Sequence, residues 1–372
     1  MRVLHVVATG LRRGAEMFAS DLVRALDRMD GLEQEIAILR GPWPPAVDYD
    51  APVRPMRSNG RHLPGLRLDL ATLTNLRATL TSFRPQVVHA HGGEAFKYAA
   101  LARIDRRTPI VYRRIGLVPR NIQSGIRRLV HSMLVRRSVR IVAVAEIVRL
   151  ETVRIFGVPH ERVVTIPRGV DPERVRAHRN RDLVRSELDI PSSAPVVISV
   201  GALSSEKDPL AFLALCERLT GLLPDVVCVF AGDGPLRREL TTAVRTRGLD
   251  ANVRLLGSRS DIGDLLGASD LLALTSRSEG MPGCIIEAGM AGVPVVAFRV
   301  AGVPEVVVDG VTGYMVDPGD EALLAERAFE LFKDENLRRE MGRAAMERCR
   351  STYDITAIAQ RYADIYAEVA AD

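Results

Sequence analysis

The feature that most constrains the fold is a repeated alternation of short apolar, β-branched segments with segments of helical periodicity. Short, fully apolar segments separated by helices are typical of parallel strands covered by helices on both faces. The sequence therefore predicts an α/β fold with parallel sheets. The predicted strands are residues 3–8, 35–39, 87–90, 110–112, 141–144, 196–200, 226–231, 253–256, 271–274 and 293–298.

The alternation is interrupted once, at residues 166–172, where Pro167, Gly169 and Pro172 break the periodicity. A chain of 372 residues is also too long for one ordinary core. We predict two doubly wound, Rossmann-like domains, residues 1–168 and 169–354. Since such sheets bind ligands at the carboxyl ends of their strands, the cleft between the domains is the expected site. Residues 41–65, rich in Pro and Arg, are predicted to form a long loop.

Composition narrows the class of protein. The content of 47% hydrophobic and 26% charged residues is that of a folded globular protein, and no apolar run approaches the roughly 18 residues of a membrane span. The first strand begins at once, so we expect no secretory signal and a cytoplasmic location. Four scattered cysteines without a C-x-x-C pair disfavour disulfides and a zinc site.

The most specific motif lies in residues 276–296, SRSEGMPGCIIEAGMAGVPVV, where Glu279 and Glu287 stand eight positions apart. Glu279 lies in a turn rich in Gly and Pro, and Glu287 lies about one turn into the following helix. A helix N-terminus favours anionic or oxygen-rich groups, and carboxylates accept hydrogen bonds from hydroxyls. The arrangement suits a ligand with two hydroxyl-bearing ends.

This segment, with its EGMPG turn and the apolar strand after it, closely resembles the E-x₇-E signature of retaining, nucleotide-sugar-dependent glycosyltransferases of family 4. The resemblance implies the GT-B fold, in which two Rossmann-like domains face each other across a cleft. It implies that Glu279 lies at the donor sugar and that Glu287 holds the ribose. The donor-binding residues implied by the turn are Gly280, Met281, Pro282 and Gly283. The tail, residues 353–371, resembles the family's last helix, so residues 355–372 are expected to complete the first domain.

Two loops resemble phosphate-binding loops of the family. Residues 200–208 are similar to the loop whose Arg and Lys clamp the diphosphate; Lys207 matches the Lys, but Ala202 replaces the Arg. Residues 9–16 are similar to the family's GGAE loop, in which Gly14 approaches the donor phosphate. Arg13 replaces the first Gly there. It is a candidate to supply the positive charge that is missing at Ala202.

Three further positions follow from the resemblance. Residues 166–171 resemble the family's hinge, with Arg168 in place of Asn and therefore a second candidate for the phosphates. His91 resembles the histidine that faces the donor sugar. The turn containing Ser258 and Arg259 resembles the one whose backbone contacts the base. His89 lies on the same strand face as His91, but a metal site needs a third ligand, which the sequence does not offer nearby.

Residues 101–140 hold eleven arginines and one acid, Asp105. Within them, residues 121–140 carry apolar side chains at the spacing of one helical face, with arginines on the others. Such a helix either lies on the inner face of an anionic membrane or packs its apolar face on its own sheet; we favour the second interpretation. A nucleic-acid partner is not expected, since aromatic content is only 5% and no recognition motif is present.

The resemblance predicts a glycosyltransferase that moves a hexose, with retention, from a nucleoside-diphosphate sugar to an acceptor hydroxyl. Cell-surface glycan or glycolipid synthesis and a lipid-linked acceptor fit this prediction. Glu279, Lys207 and His91 are the expected catalytic residues, and no metal or other cofactor is required. Two alternatives remain: another GT-B enzyme, namely a nucleotide-sugar epimerase or a glycoside phosphorylase, or a non-catalytic nucleotide-sugar-binding subunit.

Overall fold

The structure, a computed structural model, describes residues 1–58, 62–63, 68–103 and 108–371. The chain divides into two compact units. The first comprises Met1–Gly169 together with Ile355–Asp372, and the second comprises Val170–Asp354. Each unit is built around its own parallel sheet.

The first unit contains a seven-stranded sheet with the strand order β3-β2-β1-β6-β7-β8-β9. All of its pairings are parallel. Its elements are β1 (Arg2–Thr9), α1 (Gly14–Asp27), β2 (Glu33–Arg40), β3 (Val53–Pro55), β4 (His62–Leu63), β5 (Leu68–Asp69), α2 (Leu70–Phe83), β6 (Val87–His91), α3 (Gly93–Ala102), β7 (Ile110–Arg114), α4 (Gly125–Val135), β8 (Arg140–Ala143), α5 (Glu146–Phe156) and β9 (Val163–Thr165).

The second unit contains a six-stranded sheet with the order β12-β11-β10-β13-β14-β15, again all parallel. Its elements are α6 (Arg181–Glu187), β10 (Val196–Val200), α7 (Pro209–Leu222), β11 (Val227–Ala231), α8 (Arg237–Thr246), β12 (Val253–Gly257), α9 (Ile262–Gly267), β13 (Leu271–Leu274), α10 (Gly283–Met290), β14 (Val295–Phe298), α11 (Val303–Val306), β15 (Gly313–Val316), α12 (Glu321–Lys333) and α13 (Glu335–Tyr353).

The last helix, α14 (Ile355–Ala371), belongs to the first unit. Its apolar face shares one buried cluster with α1 and the central strands of the first sheet; Tyr362 and Tyr366 are fully buried there. The end of the chain thus supplies part of the core that its beginning requires.

The predicted α/β class with parallel, doubly wound sheets is confirmed, and each predicted strand matches an observed one to within two residues. The long loop predicted for residues 41–65 is wrong at Val53–Pro55, which pairs in parallel with β2 as an edge strand, and at His62–Leu63, which pairs antiparallel with β5. The part of that loop at 59–61 and 64–65 lies outside the described residues. Among the described residues, no helix is long and apolar enough to cross a membrane.

Each sheet has one place where the strand order reverses. In the first sheet this switch point lies between β1 and β6, and in the second between β10 and β13. Crevices outside the carboxyl ends of strands at such points are the usual ligand sites of doubly wound sheets. The loops that follow these four strands are therefore the expected ligand-binding loops.

Candidate active site

The two residues predicted to act on the donor meet at the switch point of the second sheet. Lys207 lies in the loop after β10, and Glu279 lies in the loop after β13. Lys207 Nζ donates to Glu279 Oε1 at 2.5 Å. The Glu279 side chain is 8% exposed, while 32% of the Lys207 side chain is exposed. The carboxylate of Glu279 is therefore the buried partner of the pair, and the ammonium of Lys207 lies nearer to solvent.

Glycines fix the loops around this pair. A Cβ on Gly232, at the end of β11, would overlap the carbonyl oxygen of Gly201. A Cβ on Gly302 would likewise overlap the carbonyl oxygen of Gly280, and the Gly302 N–H donates to the Glu279 carbonyl at 3.2 Å. Because backbone touches backbone at both places, the turn that carries Glu279 has little freedom to shift.

The helix after this turn, α10, begins at Gly283, and its N-cap residue Pro282 makes no side-chain capping bond. The first N–H groups of a helix lack partners within it, so this end favours anionic or oxygen-rich ligands. Glu287 lies one turn further on, is 7% exposed, and accepts a hydrogen bond from Arg174 at 3.0 Å. Arg174 was missed from the sequence, where nothing in the spacing links it to a residue 113 positions away.

The turn predicted to contact the base carries a charge network. Arg259 makes two hydrogen bonds to Asp261, at 2.8 and 2.5 Å, and Arg179 donates to the same carboxylate. The Arg259 guanidinium lowers the pKa of Asp261. Since the Arg259 side chain is engaged in this way, a contact to a base at Ser258 and Arg259 would fall to the backbone, as the resemblance implies.

In the first unit, Gly14 begins α1 and lies against Arg168. A Cβ on Gly14 would lie 3.0 Å from Arg168 Nη1, so glycine permits the close approach of this guanidinium. Arg13 is the N-cap residue of α1 and makes no side-chain capping bond. The structure therefore brings Gly14 and Arg168 together at the open end of a helix.

His91 lies at the carboxyl end of β6, but its imidazole is 1% exposed and faces two other histidines. Gln34 Nε2 donates to the Val23 carbonyl, so Gln34 Oε1 accepts from His5 Nε2 at 3.2 Å. His5 Nδ1 then accepts from His91 Nε2 at 3.1 Å. The role of His91 at a donor sugar stays a prediction.

The third histidine of a possible metal set, missing from the sequence analysis, is His5, which pairs in register with His89 on the neighbouring strand. One nitrogen of each of the three imidazoles lies within 4.8 Å of the others. Burial lowers the pKa of all three, to about 4 for His5. Arg113 further lowers the pKa of His89 and His91. Because a positive charge is disfavoured here, the cluster suits neutral, hydrogen-bonded imidazoles better than a divalent cation.

The favoured interpretation of the arginine-rich helix is wrong. In α4 the apolar side chains do not pack on the sheet: Ile126 is 71% exposed, Met133 64% and Leu129 56%. Val135 is the only buried residue of this helix. The spacing showed correctly that one face is apolar, but it could not show whether that face meets the sheet.

Comparison with known proteins covers both units. The family description "Glycosyltransferase Family 4" matches residues 12–174, and "Glycosyl transferases group 1" matches residues 180–348. The chain is a member of glycosyltransferase family 4. The two matches leave out only residues 175–179 and the two ends, so they cover the whole second sheet and every strand of the first except β1.

Among sequence relatives, N-acetyl-alpha-D-glucosaminyl L-malate synthase of Bacillus anthracis is 30% identical over 214 residues, which are 58% of this chain and 56% of the relative. UDP-Gal:alpha-D-GlcNAc-diphosphoundecaprenol alpha-1,3-galactosyltransferase of Escherichia coli is 28% identical over 264 residues, 68% of this chain and 67% of the relative. The chain thus spans between about half and two thirds of these relatives.

Among solved structures, Anabaena HepE in complex with UDP and glucose aligns with a TM-score of 0.86 at 23% identity, over 99% of this chain and 100% of HepE. The similarity establishes the GT-B fold for this family 4 member. The predicted fold is therefore confirmed.

Proposed function

We propose that this family 4 member is a retaining glycosyltransferase that moves a sugar from a nucleoside-diphosphate sugar to an acceptor hydroxyl. The observation that carries the proposal is the Lys207–Glu279 pair at the switch point of the second sheet. A cation, a carboxylate and the open end of α10 together offer partners for a diphosphate and for sugar hydroxyls.

In the proposed reaction, the bond between the sugar C1 and the diphosphate oxygen breaks while the acceptor oxygen attacks C1 from the same face. The acceptor proton passes to the departing diphosphate. Lys207 offsets the negative charge that grows on the leaving group. Glu279 holds Lys207 in place through its Oε1 and is positioned to accept a hydrogen bond from the donor sugar. No metal is required by this scheme.

The remaining donor contacts are assigned by their place in the loop and helix. Gly280, Met281, Pro282 and Gly283 present the turn and the first N–H groups of α10 to the donor. Glu287 accepts hydrogen bonds from the ribose, and Arg174 holds its carboxylate in place. Because Glu287 is already buried, its side chain loses little further conformational freedom when the ribose binds.

Uridine-diphosphate sugars are the first donors to test, because HepE was solved with UDP-glucose and the Escherichia coli relative is named for UDP-Gal. A thermal-shift screen of nucleotide sugars at saturating concentration should raise the melting temperature for the true donor. Incubation with that donor and candidate acceptors, followed by NMR of the anomeric proton, then tests transfer and retention. An inverted product, or donor binding with no transfer to any acceptor, would contradict the proposal.

The exposed face of α4 supports a lipid-linked acceptor. It combines Ile126, Leu129 and Met133 with neighbouring arginines, and this composition suits an anionic membrane surface. We expect the protein to co-sediment with vesicles containing phosphatidylglycerol and not with pure phosphatidylcholine. Met133→Ser should weaken binding, whereas Leu183→Ser, at a similarly exposed leucine of α6, should not. Equal loss in both variants would remove α4 as the contact.

A further inference from the structure

A cleft of about 370 Å³ lies at the amino-terminal edge of the second sheet. Its lining includes the loop residues that directly precede β13 and β14, together with the beginnings of α6 and α13. Its volume lies within the range of small-molecule sites, which is roughly 300–1,000 Å³. The cleft is therefore large enough for a small ligand. Its charged lining residues are Arg181, Asp270, Glu335, Arg338 and Arg339.

The cleft and the proposed donor site lie at opposite edges of the same sheet. All strands of this sheet are parallel, so the residues before the strands lie at one edge and the residues after them at the other. Asp270 directly precedes β13, whereas Glu279 follows it. The four residues of β13 separate the two edges by about 13 Å. A ligand held in the cleft is therefore separate from the donor.

Asp270 in the cleft is shared by two arginines. Its Oδ1 accepts from Arg181 Nη2 at 2.6 Å, and its Oδ2 accepts from Nη2 of the buried Arg185 at 3.1 Å. Burial and the charge of Arg181 both lower the pKa of Arg185. Because one carboxylate faces two guanidiniums, positive charge remains in excess. Arg181 uses three of its five N–H groups on protein acceptors and is 40% exposed, so the others can reach a ligand.

Arg338, the fourth residue of α13, adds a cation that no carboxylate balances. In the described part of the chain, its side chain donates to the carbonyls of Leu331 and Phe332, at 2.9 and 3.4 Å. Both carbonyls lie in the last turn of α12 and accept from the same nitrogen, Nη1. The guanidinium is thus held in place while its Nε and Nη2 keep N–H groups for a ligand.

The last ion pair of the cleft lies at its rim. Arg339 pairs with Glu335 at 2.5 Å, but their side chains are 71% and 58% exposed. Such an exposed pair contributes little to stability and can rearrange around a ligand. Together, four guanidiniums face the two carboxylates Asp270 and Glu335, which leaves a surplus of two positive charges.

We propose that this cleft binds a small molecule through a phosphate group, with Arg181 and Arg338 as the main contacts and Arg339 at the rim. A phosphate presents three oxygens and can accept from separate guanidiniums at once, whereas a carboxylate fills a single guanidinium fork. A bound phosphate would balance the surplus charge. The inference goes beyond the proposed transferase function and does not rest on it.

The test uses inorganic phosphate as the probe and follows thermal unfolding of the full chain at constant ionic strength, with chloride as the comparison. All measurements use a Lys207→Ala background, which removes the cation of the proposed donor site. This protein should show a saturable rise in melting temperature with phosphate and a much smaller one with acetate. Adding Arg338→Gln should weaken phosphate affinity at least about tenfold, because a charge-assisted contact is lost.

Variants of exposed side chains cover the case in which Arg338→Gln does not fold. Arg339→Gln should weaken phosphate affinity several-fold. Glu335→Gln should strengthen it, because the substitution removes a carboxylate that repels the phosphate. Arg343→Gln, at an exposed arginine of α13 that does not line the cleft, is the matched control and should keep the full effect.

Three results would overturn the proposal. If phosphate stabilises Arg338→Gln and Arg339→Gln as much as their background, the cleft does not bind it. If Arg343→Gln loses as much affinity as Arg338→Gln, phosphate responds to the general charge of α13. If acetate matches phosphate, the ligand class is wrong. A protein that transfers sugar but binds no phosphate through Arg338 would overturn this inference and leave the proposed function intact.

Discussion

The two sheets differ in how positively charged side chains are paired near the carboxyl ends of their strands. In the second unit each cation of the proposed donor site pairs with an acid: Lys207 with Glu279, and Arg174 with Glu287. In the first unit the strongest effects on the pKa of buried Arg113 are burial, a tyrosine and another arginine, with no acid among them. Charge is therefore paired at the proposed donor site of the second unit, whereas burial dominates around Arg113 in the first unit.

The two units should therefore respond differently to a change of charge. Ion pairs hold Lys207 and Glu287 in fixed places, so a donor meets groups that need little reordering. In the first unit, burial and the charge of Arg113 make added positive charge unfavourable, since both lower the pKa of His89 and His91. The comparison predicts that removing charge harms chemistry in the second unit, whereas adding charge harms the stability of the first.

The largest effect is expected for Glu279→Ala, which removes both the partner of Lys207 and the proposed donor contact. We expect transfer to fall by about 100-fold or more, on the scale of losing one preorganised polar group of an active site. The fold should survive, because Glu279 lies in a turn and carries little core packing. Initial rates and thermal unfolding measure the two parts. Activity within a few-fold of wild type would show that transfer does not depend on the charge of Glu279, which would contradict the role given to the second unit.

The next largest effect is expected at the histidine cluster, where protonation should lower the stability of the first unit. The pKa of His5 falls from 6.5 in the unfolded chain to about 4 when folded, because burial disfavours the charged form. Between these values the unfolded chain binds more protons, so stability is complete above pH 6.5 and falls as the pH decreases. His5 alone should account for about 3 kcal/mol between pH 6.5 and 4.

Denaturant unfolding across this pH range measures the effect. His5→Asn should flatten the dependence, while His160→Gln, at an exposed position, should leave it unchanged. A stability that does not change between pH 6.5 and 4 would show that the cluster accepts protons in the folded state.

Lys207→Ala should lower the maximal rate about tenfold to 100-fold, because one charge-assisted hydrogen bond to the leaving group is lost. Arg277→Ala, in the adjoining loop with a 71% exposed side chain, is the control and should remain active. Ala202→Arg, which restores the family's usual residue, should recover part of the loss. If Lys207→Ala keeps most of its activity while Arg13→Ala loses it, the phosphate contact lies in the first unit.

The smallest effect is expected for Glu287→Gln. Ribose contacts are the same before and during the reaction, so donor affinity should fall about tenfold with little change in maximal rate. Because Arg174 would then lose its acid, pairing the change with Arg174→Met should cost less stability than the two single changes together. Calorimetric titration with the donor separates affinity from rate. A lower rate with unchanged affinity would contradict the ribose assignment.

Local pattern was enough to predict two parallel sheets, ten of their strands and the motif that holds Glu279 and Glu287, but the short strands β3, β9 and β15 were not predicted. Partners distant in sequence were not predictable. His5 joins His89 through strand register, and Arg174 reaches Glu287 across 113 positions; a single sequence records neither distance. The exposure of the apolar face of α4 was not predictable for a related reason. Periodicity identifies the apolar face of a helix but not whether another element packs against it.

The return of α14 to the first unit has a consequence for synthesis. The cluster that buries Val3 and Phe18 also needs Ile358 and Tyr362, which leave the ribosome more than 180 residues after Gly169. The second unit is continuous in the chain and can fold as soon as it emerges, whereas the first must wait with part of its apolar surface uncovered. The half made first is therefore finished last, and it is the half that a chaperone would have most reason to hold.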